Sequence, residues 1–139
     1  MRKRRQDRWI RADRAERLRE AYDRLSRGDI DGFLTVLHED VVWTEQVLPD
    51  QRVYHGHDGV RQWIADVTEA FTWGTFELVG LEQGGDDVVS QVHVTTHGSA
   101  SGVEVDATVF HVIRYRGNRI ARITALFDRD EALRVAGLG

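Results

Sequence analysis

A chain of 139 residues that is 41% hydrophobic and 30% charged, with four Trp, three Tyr and five Phe, has the length of one ordinary domain and enough apolar bulk to fill one core, which excludes a disordered or repetitive polymer. The absence of cysteine excludes disulfides and thiolate metal sites, and no apolar run approaches the roughly 18 residues of a membrane-crossing helix. The net charge of −4 hides a basic cluster of Arg2, Lys3, Arg4, Arg5, Arg8 and Arg11; it comes without the aromatic or groove-entering elements of a nucleic-acid binder, so neither nucleic acid nor membrane is the expected partner.

The opening MRKRRQDRWIRADRAERLRE continues into a charged helix and not into the apolar stretch of a secretory leader, which points to a cytoplasmic protein. Residues 1–8 are read as a flexible basic arm, 9–131 as one domain and 132–139 as a C-terminal tail. From Trp9 to Leu25 the apolar residues Ile10, Ala15, Leu18, Ala21, Tyr22 and Leu25 fall on one helical stripe. That helix ends at Gly28, and Asp29 caps a second short helix in which Ile30, Phe33, Leu34 and Leu37 recur at i, i+3, i+4 and i+7. His38 closes it, where a cation suits the helix C-terminus. A first strand runs from Val41 to Glu45. The segment QVLPDQRVYHGH, with the only proline, reads as a loop in which His55 and His57 bracket Gly56 in capping or rim positions. From Asp58, the set Val60, Trp63, Ile64, Val67 and Phe71 marks a third amphipathic helix.

After Gly74 the apolar period changes from 3.6 to 2. GTFELVGLEQ, the turn GGDD, VVSQVHVTTH and GVEVDATVFHVIRYRGNRIARITALFD read as strands joined by Gly-rich or Asn-containing turns. Helices first and a meander afterwards predict an α+β fold: three N-terminal helices packed on one face of a strongly curved antiparallel sheet.

Alternation along the strands singles out two polar residues. Glu45 shares its face with Val41 and Trp43, and His111 is the one polar member of the row Val103, Val105, Ala107, Val109, His111, Ile113 and Tyr115. On the last strand Ala121, Ile123, Ala125 and Phe127 form a similar apolar face, opposed by Ile120, Arg122, Thr124 and Leu126. Because the opposite faces are mixed, a second subunit is expected to cover part of the sheet. His93 and His97 share a more polar face with Val89, Gln91 and Thr95, suited to solvent or a subunit contact; a metal bridging them to His111 lacks a supporting carboxylate spacing.

The helix, RGDIDGFLTVLHEDVVWTE, the YHGHDGVRQW segment and the terminal FHVIRYRGNRIARITALFD together resemble, over roughly residues 15 to 130, the SnoaL-like branch of the nuclear transport factor 2 superfamily. That superfamily includes ketosteroid isomerases, polyketide cyclases, limonene epoxide hydrolases and scytalone dehydratases beside members that only bind or dimerise, so the resemblance marks the fold more sharply than the reaction. It implies a cone-shaped sheet whose mouth holds an apolar pocket for a small hydrophobic molecule, usually in a homodimer. Glu45 falls where ketosteroid isomerase places its proton-moving carboxylate. His111 falls where that enzyme and the SnoaL cyclases place a hydrogen-bonding acid, and Phe127 on a pocket aromatic. Tyr22, Trp43, Trp63, Val109, Ile113 and Ala125 are the other expected lining residues. The isomerase's catalytic tyrosine position looks like Ala21, with Tyr22 one residue away, and the epoxide-hydrolase pair of aspartates bridged by arginine is absent, since the matching face offers Val109, His111 and Ile113.

A carboxyl group beside Trp43 and away from water has its ionised form penalised, which raises its pKa toward the range of a general base. A neutral imidazole at His111 offers one donor and one acceptor, for polarising a carbonyl or relaying a proton. Such a pair suits isomerisation, dehydration or aldol-type ring closure without a cofactor or metal. The alternative is a non-catalytic binding or dimerisation module in which Glu45 and His111 satisfy one another as an ion pair.

Overall fold

Gly28, at φ +76°, takes the left-handed conformation that stops a helix. It ends α1 (Arg2–Ser26) before the short α2 can begin; α2 is Ile30–Leu34, and the Asp29 carboxylate accepts the Gly32 N–H at 3.0 Å as its N-cap. The computed structural model describes residues 2–47 and 51–138. After α2 come β1 (Leu37–Glu45), β2 (Arg52–His55), α3 (Gly56–Ala70), β3 (Thr75–Gly84), β4 (Asp87–His97), β5 (Glu104–Arg116), β6 (Arg119–Leu126) and α4 (Arg129–Val135). Helix α1 therefore includes most of the stretch expected as a basic arm.

The strands form one curved, unclosed, six-stranded sheet in the order β2-β1-β6-β5-β4-β3. An α+β fold with helices on a curved sheet is what the periodicities predict, but the sheet is not wholly antiparallel: β1 runs parallel to β6. The two strands are far apart in sequence, so no hairpin dictates their direction, and helix α3 with the β3–β5 meander supplies the long connection that parallel neighbours need. Several local expectations also change. Leu37 and His38 lie in β1 and not in α2, and the His38 Nδ1 accepts the Asp40 N–H at 3.0 Å, so this residue closes no helix. Part of the segment expected as a loop pairs with β1 as the edge strand β2, Tyr54 lying opposite Trp43; the proline expected there lies outside the described residues, at 48–50.

The main core lies between one sheet face and helices α1–α3. Leu18, Ala21, Tyr22 and Leu25 of α1 meet Val60 and Trp63 of α3 and Trp43, Val88, Val92 and Ile113 of the sheet. Ile120 joins this core although strict alternation from Ile123 would turn it outward. A bulge explains it: Arg122 pairs with Arg114 and Ile120 with Tyr115, leaving Ala121 as the extra residue that reverses the face. The opposite face carries a smaller cluster, Val89, Phe110, Val112 and Leu126, packed against Ala132 of α4. The mixed outer face is thus covered in part by the chain's own C-terminal helix, within the segment read as the domain's end and tail. The Asp128 side chain caps that helix, accepting from the Asp130 N–H at 2.8 Å.

The end of α1 is tied to the sheet by polar bonds. The Trp73 indole N–H donates to the Leu25 carbonyl at 2.6 Å, and the Ser26 hydroxyl oxygen accepts the Phe76 N–H at 2.8 Å. Gly74, between them, passes so close to the Thr95 carbonyl oxygen that a Cβ would collide with backbone. Gly74→Ala is expected to destabilise the protein by about 1–3 kcal/mol, read as a lowered urea midpoint at unchanged slope, whereas Gly85→Ala in the open β3–β4 turn meets no atom and loses only the glycine's freedom at positive φ.

Candidate active site

Glu45 ends β1 facing the core, because Val41 and Trp43, four and two residues earlier, are buried on the same face. It is 4% exposed. Its Oε2 accepts the Trp43 indole N–H at 2.8 Å, and the Trp43 and Trp63 rings stack with centroids 4.1 Å apart. Burial raises the carboxyl from its ordinary 4.5 to about 7, held from rising further by the Trp43 N–H, the Val47 backbone and the Trp63 indole. The Trp63 Nε1 lacks a partner in hydrogen-bond geometry, so its help to the anion is that of a nearby dipole and not of a formed bond.

His111 sits two strands away on the same face. Ala125 of β6 pairs with Glu45 on one side and with His111 on the other, which separates their Cα atoms by about 10 Å, two strand spacings. The methyl of Ala125 is all that stands between them on the sheet. His111 is 3% exposed, and burial lowers its imidazole from 6.5 to about 4, so it is neutral at pH 7. Its Nδ1 and the Tyr22 hydroxyl share a hydrogen bond of 2.7 Å, and that hydroxyl shares another of 2.7 Å with Ser90 Oγ. The Tyr22 ring stacks on the imidazole at 5.7 Å, and Trp43 meets it edge-on at 5.7 Å. Burial drives the Tyr22 phenol above its ordinary range.

Both residues line one cavity of about 140 Å³, with Trp63, Val67, Phe71, Phe76, Val94, Thr96, Val105, Ala107, Val109, Phe127 and Val47. Among the described residues no Lys or Arg contributes to it. Of the expected lining, Trp63, Val109 and Phe127 are found there, Phe127 at a rim where it is 55% exposed. Tyr22, Trp43, Ile113 and Ala125 are buried beside the cavity and are not among the residues lining it: the indole of Trp43 and the phenol of Tyr22 stand behind Glu45 and His111 and hold them. No hydrogen bond joins Glu45 to His111, since each has its own partner. Ser90 was not singled out by sequence, although its place between Val88 and Val92 on the inner face of β4 marks it as a buried hydroxyl in need of a partner.

The remaining histidines lie elsewhere. His93 pairs with Asp106 on the outer face, opposite to His111, so no metal can bridge them, and among the described residues no group of three potential ligands could hold a metal ion. His57 Nε2 lies 3.1 Å from the Leu37 carbonyl, and His55 occupies the N-cap of α3 without a side-chain bond.

The SnoaL-like domain model matches residues 18–123, and the chain belongs to that family. No curated protein matches it. Among solved structures, an NTF2-like protein of unknown function from Burkholderia pseudomallei K96243 is 25% identical, with a TM-score of 0.72 over 88% of this chain and 95% of its own. A protein with a ketosteroid isomerase-like fold from Catenulispora acidiphila DSM 44928, in complex with trimethylamine, is 14% identical at a TM-score of 0.68, covering 85% and 89%. A candidate polyketide cyclase from Xanthomonas campestris pv. campestris is 17% identical at 0.66, covering 80% and 87%. The last two similarities are of fold. Among the described residues no helix is long and apolar enough to cross a membrane.

The opposed shifts give a pH signature. Between about pH 4.5 and 7 the folded state holds a proton on Glu45 that the unfolded chain has lost, so this group's contribution to stability falls as pH rises. Between about pH 4 and 6.5 the unfolded chain holds a proton on His111 that the folded state refuses, so this contribution rises with pH. Where the windows overlap the two cancel. Urea unfolding across pH 4 to 8 should therefore show Glu45→Gln gaining up to about 1.4 kcal/mol per pH unit relative to wild type, ending near pH 7. His111→Gln should show the opposite trend, ending near pH 6.5; parallel profiles in all three proteins would remove both shifts.

Proposed function

We propose that this protein is a cofactor-independent acid/base enzyme of the isomerase, cyclase or dehydratase type, acting on a small hydrophobic carbonyl compound. The observation that carries the reading is that one apolar cavity is lined by a carboxyl and an imidazole whose affinities for protons burial pushes toward one another's ordinary range. Glu45, as the carboxylate, removes a proton from the carbon beside the carbonyl; the C–H pair becomes the enolate C=C, and charge collects on the oxygen, where neutral His111 makes a hydrogen bond. The protonated Glu45 then returns the proton to carbon or to a leaving hydroxyl. The Trp43 indole N–H keeps one carboxylate oxygen fixed and leaves the other for the substrate. The candidate polyketide cyclase among the similar folds fits this chemistry.

A non-catalytic binding role for the same cavity is the second reading. Its support is that Glu45 and His111 each already have a hydrogen-bond partner within the protein, Trp43 for the one and Tyr22 for the other.

A screen of cyclic ketones, enones and polyketide-like rings tests the two. Under the enzymatic reading, Glu45→Gln and His111→Ala each lower kcat by about 100- to 10,000-fold while ligand binding persists. Since the base must be ionised, kcat/KM should rise with pH and level off above about 7. Turnover that survives Glu45→Gln, or binding without turnover across the screen, would replace it with the second reading.

A further inference from the structure

Resting on the proposed function, we infer that Tyr22 and Ser90 fix His111 as a proton donor at Nε2, so that the cavity takes an uncharged molecule the size of one ring with an acceptor oxygen placed on that nitrogen. Ser90 is fully buried, and its hydroxyl makes no hydrogen bond other than that to Tyr22 among the described residues. The Tyr22 hydroxyl lies between Ser90 Oγ and His111 Nδ1, at 2.7 Å from each. Two hydroxyl protons and one imidazole proton must be shared among these groups.

If Ser90 donates to Tyr22, Tyr22 donates to Nδ1, and both hydroxyl protons are satisfied. The imidazole proton is then on Nε2. If the chain runs the other way, Nδ1 donates to Tyr22 and Tyr22 to Ser90, and the Ser90 proton is left buried without an acceptor. An unsatisfied buried donor shifts such a balance by roughly tenfold to a hundredfold, so the first direction holds. The ring is not free to turn over, because Tyr22 stacks on one face and Trp43 abuts it edge-on. Among the described residues Nε2 has no hydrogen-bond partner, and His111 lines the cavity.

The wall around that donor restricts the occupant further. Among the described residues no Lys or Arg lines the cavity, so a carboxylate or phosphate would be buried without a countercharge from them. A protonated amine set on Nε2 would face an N–H that can only repel it, and at the far end Glu45 pairs with it only as the carboxylate that burial disfavours. The volume of about 140 Å³ is close to that of a dry cavity known to hold benzene, about 150 Å³, which sets the scale at one ring and excludes a fused tetracycle in this conformation.

The first measurement is a long-range proton–nitrogen correlation spectrum of uniformly nitrogen-15-labelled protein at pH 7, with His111 assigned by its loss in His111→Gln. The expected result is a protonated Nε2 and an unprotonated Nδ1; the reverse pattern overturns the inference. It would leave the Glu45 base of the proposed function standing, whereas turnover independent of Glu45 would remove that function and leave the tautomer untouched. Tyr22→Phe should bring the two tautomers to comparable populations, and Ser90→Ala should keep Nε2 protonated, since Tyr22 then has only His111 to donate to. If Tyr22→Phe does not fold, the wild-type spectrum decides alone. Titrating the same sample with cyclohex-2-en-1-one, cyclohexylammonium chloride and sodium cyclohexanecarboxylate should shift the Nε2 resonance with the enone and bind either ion at least tenfold more weakly; preference for an ion would overturn the assignment of an uncharged ligand.

Discussion

A carboxyl group buried against two stacked indoles is the constraint on which the site depends. Ionised in an apolar interior, it would cost several kcal/mol without a charged partner, and none is supplied among the described residues. The protein offers instead one indole hydrogen bond from Trp43 and the dipole of Trp63. Those dipoles are enough to keep the anion accessible near neutral pH and too weak to hold it there, which is the condition for a group that must both take and give a proton. The indoles can do this only because β1 is an interior strand. Its Trp43 side chain is pinned by Tyr54 of β2 and Ile123 of β6 as strand neighbours and by α3 above.

The opposite wall is built across long sequence separations, 68 residues from Tyr22 to Ser90 and 89 from Tyr22 to His111. His111 from β5, Tyr22 from α1 and Ser90 from β4 meet at hydrogen-bond distance, and α1 is held in place to do so by its own C-terminal ties to Trp73 and Phe76. Helix α1 is therefore part of the site as well as a lid on the core: its stripe of Leu18, Ala21, Tyr22 and Leu25 supplies both burial and the one hydroxyl that reaches the imidazole.

Periodicity made much of this legible. The change from 3.6 to 2 after Gly74 marks where helices give way to the meander, and alternation alone identifies Glu45 and His111 as polar residues on apolar faces. What alternation does not carry is anything set by pairing between distant strands. The parallel β1–β6 contact, the bulge at Ala121 that turns Ile120 inward and the edge strand β2 all depend on partners that a local pattern does not name. The same limit explains Ser90 and Tyr22. A serine between valines reads as an ordinary strand residue until α1 is laid over it, and a tyrosine on a helix stripe does not reveal which strand its hydroxyl will meet. Helix α4 escaped because it is short and covers a face whose mixed composition suits a second subunit equally well.

The direction of the two titrations bears on what the pair is for. Had Glu45 and His111 been a structural ion pair, proximity would have lowered the carboxyl and raised the imidazole, each charge stabilising the other. The reverse is found: burial is the largest cause for both, and it favours the neutral form of each. Strand register enforces that separation, because Ala125 holds the two residues in one row with a strand between them. Two neutral, partly satisfied groups facing a common apolar space have hydrogen-bonding capacity left over, and a folded interior that needed only stability would have been served as well by leucine at either position. The capacity is directed at whatever enters the cavity, and under the proposed function its chemistry follows from the carboxyl's hold on a proton up to neutral pH and the imidazole's refusal to gain one.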